Sequence, residues 1–111
     1  MWLKAPNITC KHGFSTREGG ISKAPYDSLN LGGSEDQPSN ILTNRKTALE
    51  SLNLSINNLA YLKQNHSNIV NVAKVGQLEG DALVSDKKNL VLAISIADCY
   101  PLLFQDRKSV V

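Results

Sequence analysis

The sequence predicts a domain that combines one helix with several short β-strands. Its 111 residues match the usual size of one domain, and apolar residues make up 41% of them, which is enough for a core. Residues 37–52 repeat apolar side chains at the spacing of a helix, and shorter runs elsewhere are rich in valine and isoleucine, which favour strands. We therefore treat residues 1–111 as belonging to a single domain.

Charge and composition exclude several classes of protein. The 12 basic and 10 acidic side chains leave a net charge of +2, which is too weak for a nucleic-acid binder. The longest apolar run, Leu90 to Ile94, is far shorter than the roughly 20 residues that a membrane helix needs. The first residues lack the apolar segment of a signal peptide, and 2 cysteines are too few for a disulfide scaffold. These features predict a cytoplasmic protein with no nucleic-acid or membrane partner.

The first third of the chain is predicted to be a strand followed by a long polar loop. Ile8 to Ser15 has the composition of a strand, which ends at the turn-rich stretch Arg17-Glu18-Gly19-Gly20. The loop then runs from Ser22 to Gln37. A loop of this length without secondary structure of its own is usually functional or disordered.

Residues 37–52 form the clearest predicted helix. Asp36 is expected to cap it, and Pro38 is tolerated in the first turn. At about 100° per residue, five apolar side chains share an arc of roughly 120°: Ile41, Leu42, Ala48, Leu49 and Leu52. Arg45 projects into the middle of this arc, so its guanidinium must reach solvent or meet an anion, because an unpaired buried charge is costly.

Strand-like segments follow the helix at 59–64, 69–75, 82–84 and 90–96. The last of them is almost entirely apolar, which is typical of a strand buried on both faces. The final residues, Ser109-Val110-Val111, have the composition of another strand. Because the sequence stops there, we expect it to be a fragment of a longer domain.

Chemistry is expected at the ends of the predicted strands, where sites commonly form. Cys99 follows the most apolar strand and adjoins Asp98, and His66 follows another strand. These two side chains could ligate zinc, although their separation matches no local zinc motif, or act as nucleophile and base. Cys99 could equally be an inert core residue, and His12 a packed one. A disulfide with Cys10 does not fit a reducing compartment.

Two arginines have positions that suggest a ligand. Arg17 precedes Gly19-Gly20, whose flexibility permits close approach of a ligand to the backbone, although a solvated turn is the simpler interpretation. Arg45 is the second, because of its place among apolar neighbours. The sequence has no phosphate loop and no G-x-G-x-x-G pattern.

Six blocks taken together resemble the laccase-domain proteins, once called polyphenol oxidases and now regarded as purine nucleoside phosphorylases. In chain order the blocks are residues 12–20, 28–32, 44–45, 64–67, 80–84 and 97–103. Ser67 departs from the family pattern, in which glycine is common at this place. Each block alone is a weak signal, but six in the right order over nearly the whole chain are specific.

The resemblance implies an α+β fold in which mixed β-sheets pack together and are flanked by helices. It also implies a zinc site with His66 and Cys99 as two of three protein ligands. The third ligand belongs to a His-Ala-Gly-Trp-Arg-Gly block that this sequence lacks, so residues 1–111 resemble the N-terminal part of a single, apparently truncated family domain. Copper fits less well, because Cys99 and two histidines cannot supply the several copper sites of a laccase.

For an intact member, the resemblance implies phosphorolysis of adenosine, inosine, guanosine or methylthioadenosine to the base and a ribose 1-phosphate. Hydrolytic deamination of adenosine accompanies it. The implied catalytic residues are His66, Asp98 and Cys99. The implied contacts to substrate or phosphate are Arg17, Asn30, Arg45 and Asp81. Asp81 and Asp98 could instead support the metal ligands or transfer protons.

Two other functions stay open on the sequence alone. A cysteine hydrolase acting on peptidoglycan-type peptides would use Cys99 as nucleophile and His66 as base, and would hold no zinc on the thiolate. An inactive fragment would instead self-associate through exposed strand edges. Zinc content tests the first of these alternatives, and size-exclusion behaviour tests the second.

Overall fold

The computed structural model describes residues 1–32, 35–96 and 100–106. The chain divides into two compact units, Met1–Leu54 and Ser55–Val111. The described residues contain parallel and antiparallel sheets together with an α-helix, which confirms the α+β class. No helix within these ranges is both long and apolar enough to cross a membrane.

The N-terminal unit begins with a small antiparallel sheet, in which β1 (Trp2–Leu3) pairs with β2 (Phe14–Ser15). The strand predicted from Ile8 is therefore much shorter than expected. Its first residues are occupied by turns around His12, which accepts a hydrogen bond from the Ala5 N–H at 2.8 Å. The other ring nitrogen lies 2.8 Å from the carbonyl oxygen of Cys10. These local bonds replace the ladder that a longer strand would need.

The helix α1 spans Pro38–Glu50, and Pro38 lies in its first turn as predicted. The predicted cap was wrong by one residue, because Gln37 is the N-cap and Asp36 accepts the Gln37 N–H at 2.8 Å. Ala48 and Leu49 are buried as expected, whereas Leu42 is 48% exposed.

Leu42 lies at one edge of the predicted apolar arc, and the buried face extends past the opposite edge to Asn44. Asn44 is 0% exposed and lies about 60° from Ile41, on the side opposite Leu42. The buried face is therefore rotated toward a polar residue, which the apolar arc of the sequence does not include.

The predicted polar loop contains no helix or strand over its described parts, 22–32 and 35–37. Its backbone is fixed by bonds to the preceding turn, since the carbonyl of Arg17 accepts the N–H groups of Ser28 at 3.0 Å and Leu29 at 2.8 Å. The side chain of Leu29 is buried. This stretch is therefore a packed part of the N-terminal unit.

The C-terminal unit begins with a short 3₁₀ turn, Ile56–Asn58, and continues as short strands. Within its described residues the strands are β3 (Leu59–Lys63), β4 (Val70–Val72), β5 (Gly76–Glu79), β6 (Ala82–Val84) and β7 (Val91–Leu92). The sheet order β5-β3-β7 is parallel throughout, and β4 pairs in parallel with β6. The buried apolar residues of this unit are Leu59, Ala60, Leu62 and Ala73.

The two parallel pairs alternate along the chain, and this arrangement positions the candidate site. β3 turns into β4 through residues 64–69, and β5 turns into β6 through residues 80–81. Because β3 pairs with β5 and β4 pairs with β6, the two corners must lie side by side. The Gly80 N–H donates to the carbonyl of Lys63 at 3.2 Å, and the Asp81 N–H donates to that of Ile69 at 3.1 Å.

Residues 90–96 contradict the prediction of a strand buried on both faces. Only Val91–Leu92 form β7, Leu92 is 38% exposed and Ile96 is 51% exposed. A strand is buried on both faces only where other elements pack above and below the sheet, and among the described residues these side chains are not covered in that way. In the same range β7 is an edge strand, with a paired neighbour only on its β3 side. The strand predicted at 109–111 lies outside the described residues.

Candidate functional site

His66 lies in the corner between β3 and β4, and its backbone adopts the left-handed conformation with a φ of 57°. Few residues other than glycine adopt this conformation, so it indicates a backbone held by its surroundings. The side chain is exposed, and no residue that the structure describes hydrogen-bonds to its imidazole. The imidazole is thus exposed at this corner of the unit.

The carboxylate of Asp81 fixes the backbone of this corner. It accepts both the N–H and the hydroxyl of Ser67 at 2.6 Å, the N–H of His66 at 3.2 Å and the N–H of Asn65 at 3.4 Å. These hydrogen bonds, led by that of the Ser67 hydroxyl, hold the pKa of Asp81 below its ordinary value, because they favour the charged form. The carboxylate is directed at the loop, and its predicted contact with substrate stays a prediction.

Gln64 connects the same corner to the segment after β7. Its side-chain Nε2 donates to the carbonyl of Ser95 at 2.7 Å, and its Oε1 accepts the Ser95 N–H at 2.8 Å. Asp98 and Cys99 come shortly afterwards in the sequence but lie outside the described residues. Their predicted proximity to His66 therefore stays a prediction.

The N-terminal unit contains a second polar cluster, centred on Asn44. Its Oδ1 accepts the Ile21 N–H at 2.9 Å, and its Nδ2 donates to the hydroxyl of Ser22 and the carbonyl of Asn30, both at 2.9 Å. Asn44 belongs to one of the six sequence blocks, but its burial is not predicted from the sequence. An asparagine flanking the apolar arc of the helix was the available signal.

Asp36 completes this cluster. It accepts hydrogen bonds from the Ser22 hydroxyl, from Nδ2 of Asn30 at 3.2 Å, from the Gln37 N–H at 2.8 Å and from Nδ2 of Asn40 at 3.4 Å. The bond from Ser22 contributes most to a pKa of Asp36 below its ordinary value. Asn30, a predicted substrate contact, is thus bonded within the protein through both its amide and its carbonyl.

Arg45 is half-buried and turns toward the polar loop. Its Nε donates to the carbonyl of Leu31 at 2.7 Å. A Cβ on Gly32, whose φ is 145°, would lie 2.6 Å from the guanidinium Nη2. The sequence predicts that this guanidinium reaches solvent or meets an anion, and one partner in the structure is the Leu31 carbonyl. A contact with substrate or phosphate stays a prediction.

Arg17 is held at the surface by Asp27. Its Nε and Nη2 donate to the Asp27 carbonyl at 3.0 and 2.9 Å, and Nη2 lies 3.5 Å from the Asp27 carboxylate. The Arg17 side chain is 74% exposed. It therefore keeps donor groups accessible to an anion in solution, as its predicted role requires.

The described residues bring few metal donors together. No group of three or more His, Cys, Asp or Glu side chains that could hold a metal ion occurs within residues 1–32, 35–96 and 100–106. The imidazole of His66 is nevertheless a suitable nitrogen ligand, and a cysteine thiolate such as that of Cys99 would suit zinc as a second. An imidazole and a thiolate are donor types that suit zinc, but two donors are fewer than a complete zinc site needs.

Comparison with known proteins decides the family. The family model described as multi-copper polyphenol oxidoreductase laccase matches residues 11–111. The chain belongs to this family. The match confirms the resemblance predicted from the six sequence blocks, and the laccase name of the family indicates metal binding only in general terms.

Curated relatives of this laccase-family chain carry another name. It is 42% identical over 105 residues to a purine nucleoside phosphorylase of Deinococcus radiodurans, covering 94% of this chain and 42% of the relative. It is 41% identical over 107 residues to the Haemophilus influenzae protein of the same name, covering 93% of this chain and 42% of the relative. The chain therefore spans about two-fifths of the length of these relatives.

A solved structure supports the fold. The crystal structure of the Bacillus licheniformis hypothetical protein YfiH matches with a TM-score of 0.74 and 30% identity, covering 78% of this chain and 38% of that one. The architecture of this laccase-family chain is thus that of part of a larger known protein.

Proposed function

We propose that this chain is the N-terminal part of a zinc-dependent purine nucleoside phosphorylase. The substrates in this proposal are adenosine, inosine, guanosine and methylthioadenosine, and deamination of adenosine accompanies phosphorolysis. The observation that carries it is the exposed imidazole of His66 on a corner that a carboxylate fixes, with no hydrogen-bond partner for the ring among the residues that the structure describes. The names of the curated relatives supply the class of reaction.

In this proposal His66 and Cys99 are two protein ligands of zinc, and Asp98 supports the ligands or transfers protons. Zinc supplies a Lewis acid and can activate water for deamination. A thiolate ligand requires a reduced cysteine, which fits the predicted cytoplasmic location. With two ligands from this chain, a stable site needs at least one more.

Phosphate binding is assigned to arginine side chains. Cleavage of the glycosidic bond builds positive charge on the sugar, so a fixed anion beside it lowers the barrier. Arg17 keeps its donors accessible at the surface, and Arg45 lies against the backbone of residues 31–32. Asn30 is the third proposed contact, held in place through its bonds to Asn44 and Asp36.

Phosphate-dependent release of hypoxanthine from inosine tests this function, with zinc measured in parallel. The assay compares the 111-residue chain with the reading frame extended to a His-Ala-Gly-Trp-Arg-Gly block. We expect zinc retained through purification, and turnover, only in the longer protein, because the two ligands of the 111-residue chain bind added zinc weakly. In the longer protein we expect His66→Ala to abolish both the retained zinc and the turnover. Asp86→Asn, which changes an exposed carboxylate in the same unit, is the matched control. Absence of turnover in the zinc-loaded longer protein would contradict the proposal.

A further inference from the structure

Residues 65–67, the part of the corner that carries His66, are held mainly by Asp81. None of residues 65–69 is buried, so apolar packing does not fix this stretch. Three consecutive N–H groups, those of residues 65–67, instead converge on one carboxylate. The Ser67 hydroxyl adds a fourth hydrogen bond.

The position of this carboxylate is set by the sheet. Asp81 starts the turn into β6, and its own N–H is bonded to the Ile69 carbonyl at 3.1 Å. Gly80 before it has a φ of 143°, and a Cβ there would lie 2.7 Å from Nδ2 of Asn71. Only glycine fits that position without strain. The turn at Gly80 places Asp81 beside the neighbouring corner.

The same bonds argue against a direct role in holding metal. A carboxylate offers about four lone-pair sites. Three of the four hydrogen bonds from residues 65–67 converge on Oδ2 and one reaches Oδ1, so most of the accepting capacity of Asp81 is directed at the loop. Its contribution must come through the residues that it holds.

We propose that Asp81 is a positioning residue, which holds the corner so that the imidazole of His66 faces its metal and substrate. This inference rests on the proposed function. The left-handed backbone of His66 is maintained by the bonds to its own N–H and to those of its two neighbours. Groups that orient a metal ligand from outside the metal's own shell typically change affinity by about 10- to 100-fold when altered.

The test compares Asp81→Asn with Asp86→Asn in the 111-residue chain. The amide that replaces the Asp81 carboxylate would keep one oxygen acceptor, but its NH₂ group cannot accept a hydrogen bond. Amide hydrogen exchange at residues 65–67 reports the corner, and the NMR resonances of the His66 ring during a zinc titration report its affinity. We expect Asp81→Asn to speed exchange about tenfold and weaken zinc binding about tenfold, near the lower end of such effects. We expect Asp86→Asn to change neither.

Unchanged exchange and unchanged zinc affinity in Asp81→Asn would overturn the inference. If that variant loses protection in β3 as well, Ser67→Ala decides, because it removes the hydroxyl, which donates to Asp81 and accepts the Ile69 N–H, and leaves the three N–H bonds to Asp81 in place. Faster exchange confined to residues 65–67 then supports the inference, and no change overturns it. A wild-type His66 ring that ignores zinc would contradict the proposed metal role, while the exchange data still decide whether Asp81 positions the corner.

Discussion

Gln64 and Ser95 exchange two hydrogen bonds, one in each direction, at 2.7 and 2.8 Å. The side-chain amide of Gln64 therefore pairs with the backbone of Ser95 in the way that one strand pairs with another. This pair extends the contact between β3 and the segment of β7 past the end of the ladder at Ala60–Leu92. It links the corner of His66 to the stretch that leads toward Cys99.

Removing the Gln64 amide should release this stretch. We expect Gln64→Ala to speed hydrogen exchange of the Ser95 amide about five- to tenfold, since each hydrogen bond contributes about 1 kcal/mol. Asn65→Ala, which alters an exposed neighbouring side chain, is the control and should leave Ser95 unchanged. Equal exchange of Ser95 in both variants would show that the pair does not hold the segment.

Asn44 should be the most sensitive polar residue of the N-terminal unit. Asn44→Ala leaves the Ile21 N–H, the Ser22 hydroxyl and the Asn30 carbonyl without this partner. We expect a loss of about 1–3 kcal/mol in the free energy of unfolding, measured by urea denaturation. Thr43→Ala, an exposed position on the same helix, should cost far less. Similar losses for both variants would contradict a special role for Asn44.

The sequence predicts those parts of the fold that depend on local pattern. The helix and the strands β3 and β6 follow from apolar spacing, and the structure places them close to the predicted bounds. The strand β5, Gly76–Glu79, was missed because it begins with glycine and alternates polar with apolar residues over only four positions. Its strand character comes from pairing with β3, which no local pattern encodes.

The candidate site shows the same division. His66 is identifiable from its block, but the carboxylate that fixes it comes from another corner, and the strand register brings the two together. The sequence marks Arg45 as a charge within the apolar arc of the helix. The fully buried polar residue of that helix is its neighbour Asn44. Sequence spacing gives the direction of a side chain, and it does not give the depth of the helix in the core.

Acid should weaken the N-terminal unit through Asp36. Its folded-state pKa lies below the ordinary 3.8, chiefly because of the Ser22 hydrogen bond. The charged carboxylate therefore stabilises the folded state above about pH 3.8, and this contribution disappears as the pH falls through the lower, folded-state pKa. We expect the difference in unfolding free energy between wild type and Asp36→Asn to shrink as the pH drops below 3.8. Glu50→Gln, an exposed carboxylate at the end of α1, should leave this pH dependence in place.

The exposed apolar run of the C-terminal unit should make the 111-residue chain self-associate. Leu92 is 38% exposed, Ile96 51% and Phe104 89%, and β7 is paired only with β3 among the described strands. An edge strand with apolar neighbours offers unpaired backbone groups and apolar area to a second copy. We expect sedimentation velocity to show association that increases with concentration, and Leu92→Lys with Ile96→Lys to shift the chain toward monomer, because lysine protects strand edges.

Val72→Lys, on a valine that is 70% exposed on β4, is the matched control. An equal effect of Val72→Lys would show that association is not specific to the β7 edge, and a wild-type chain that stays monomeric at all concentrations would contradict the prediction.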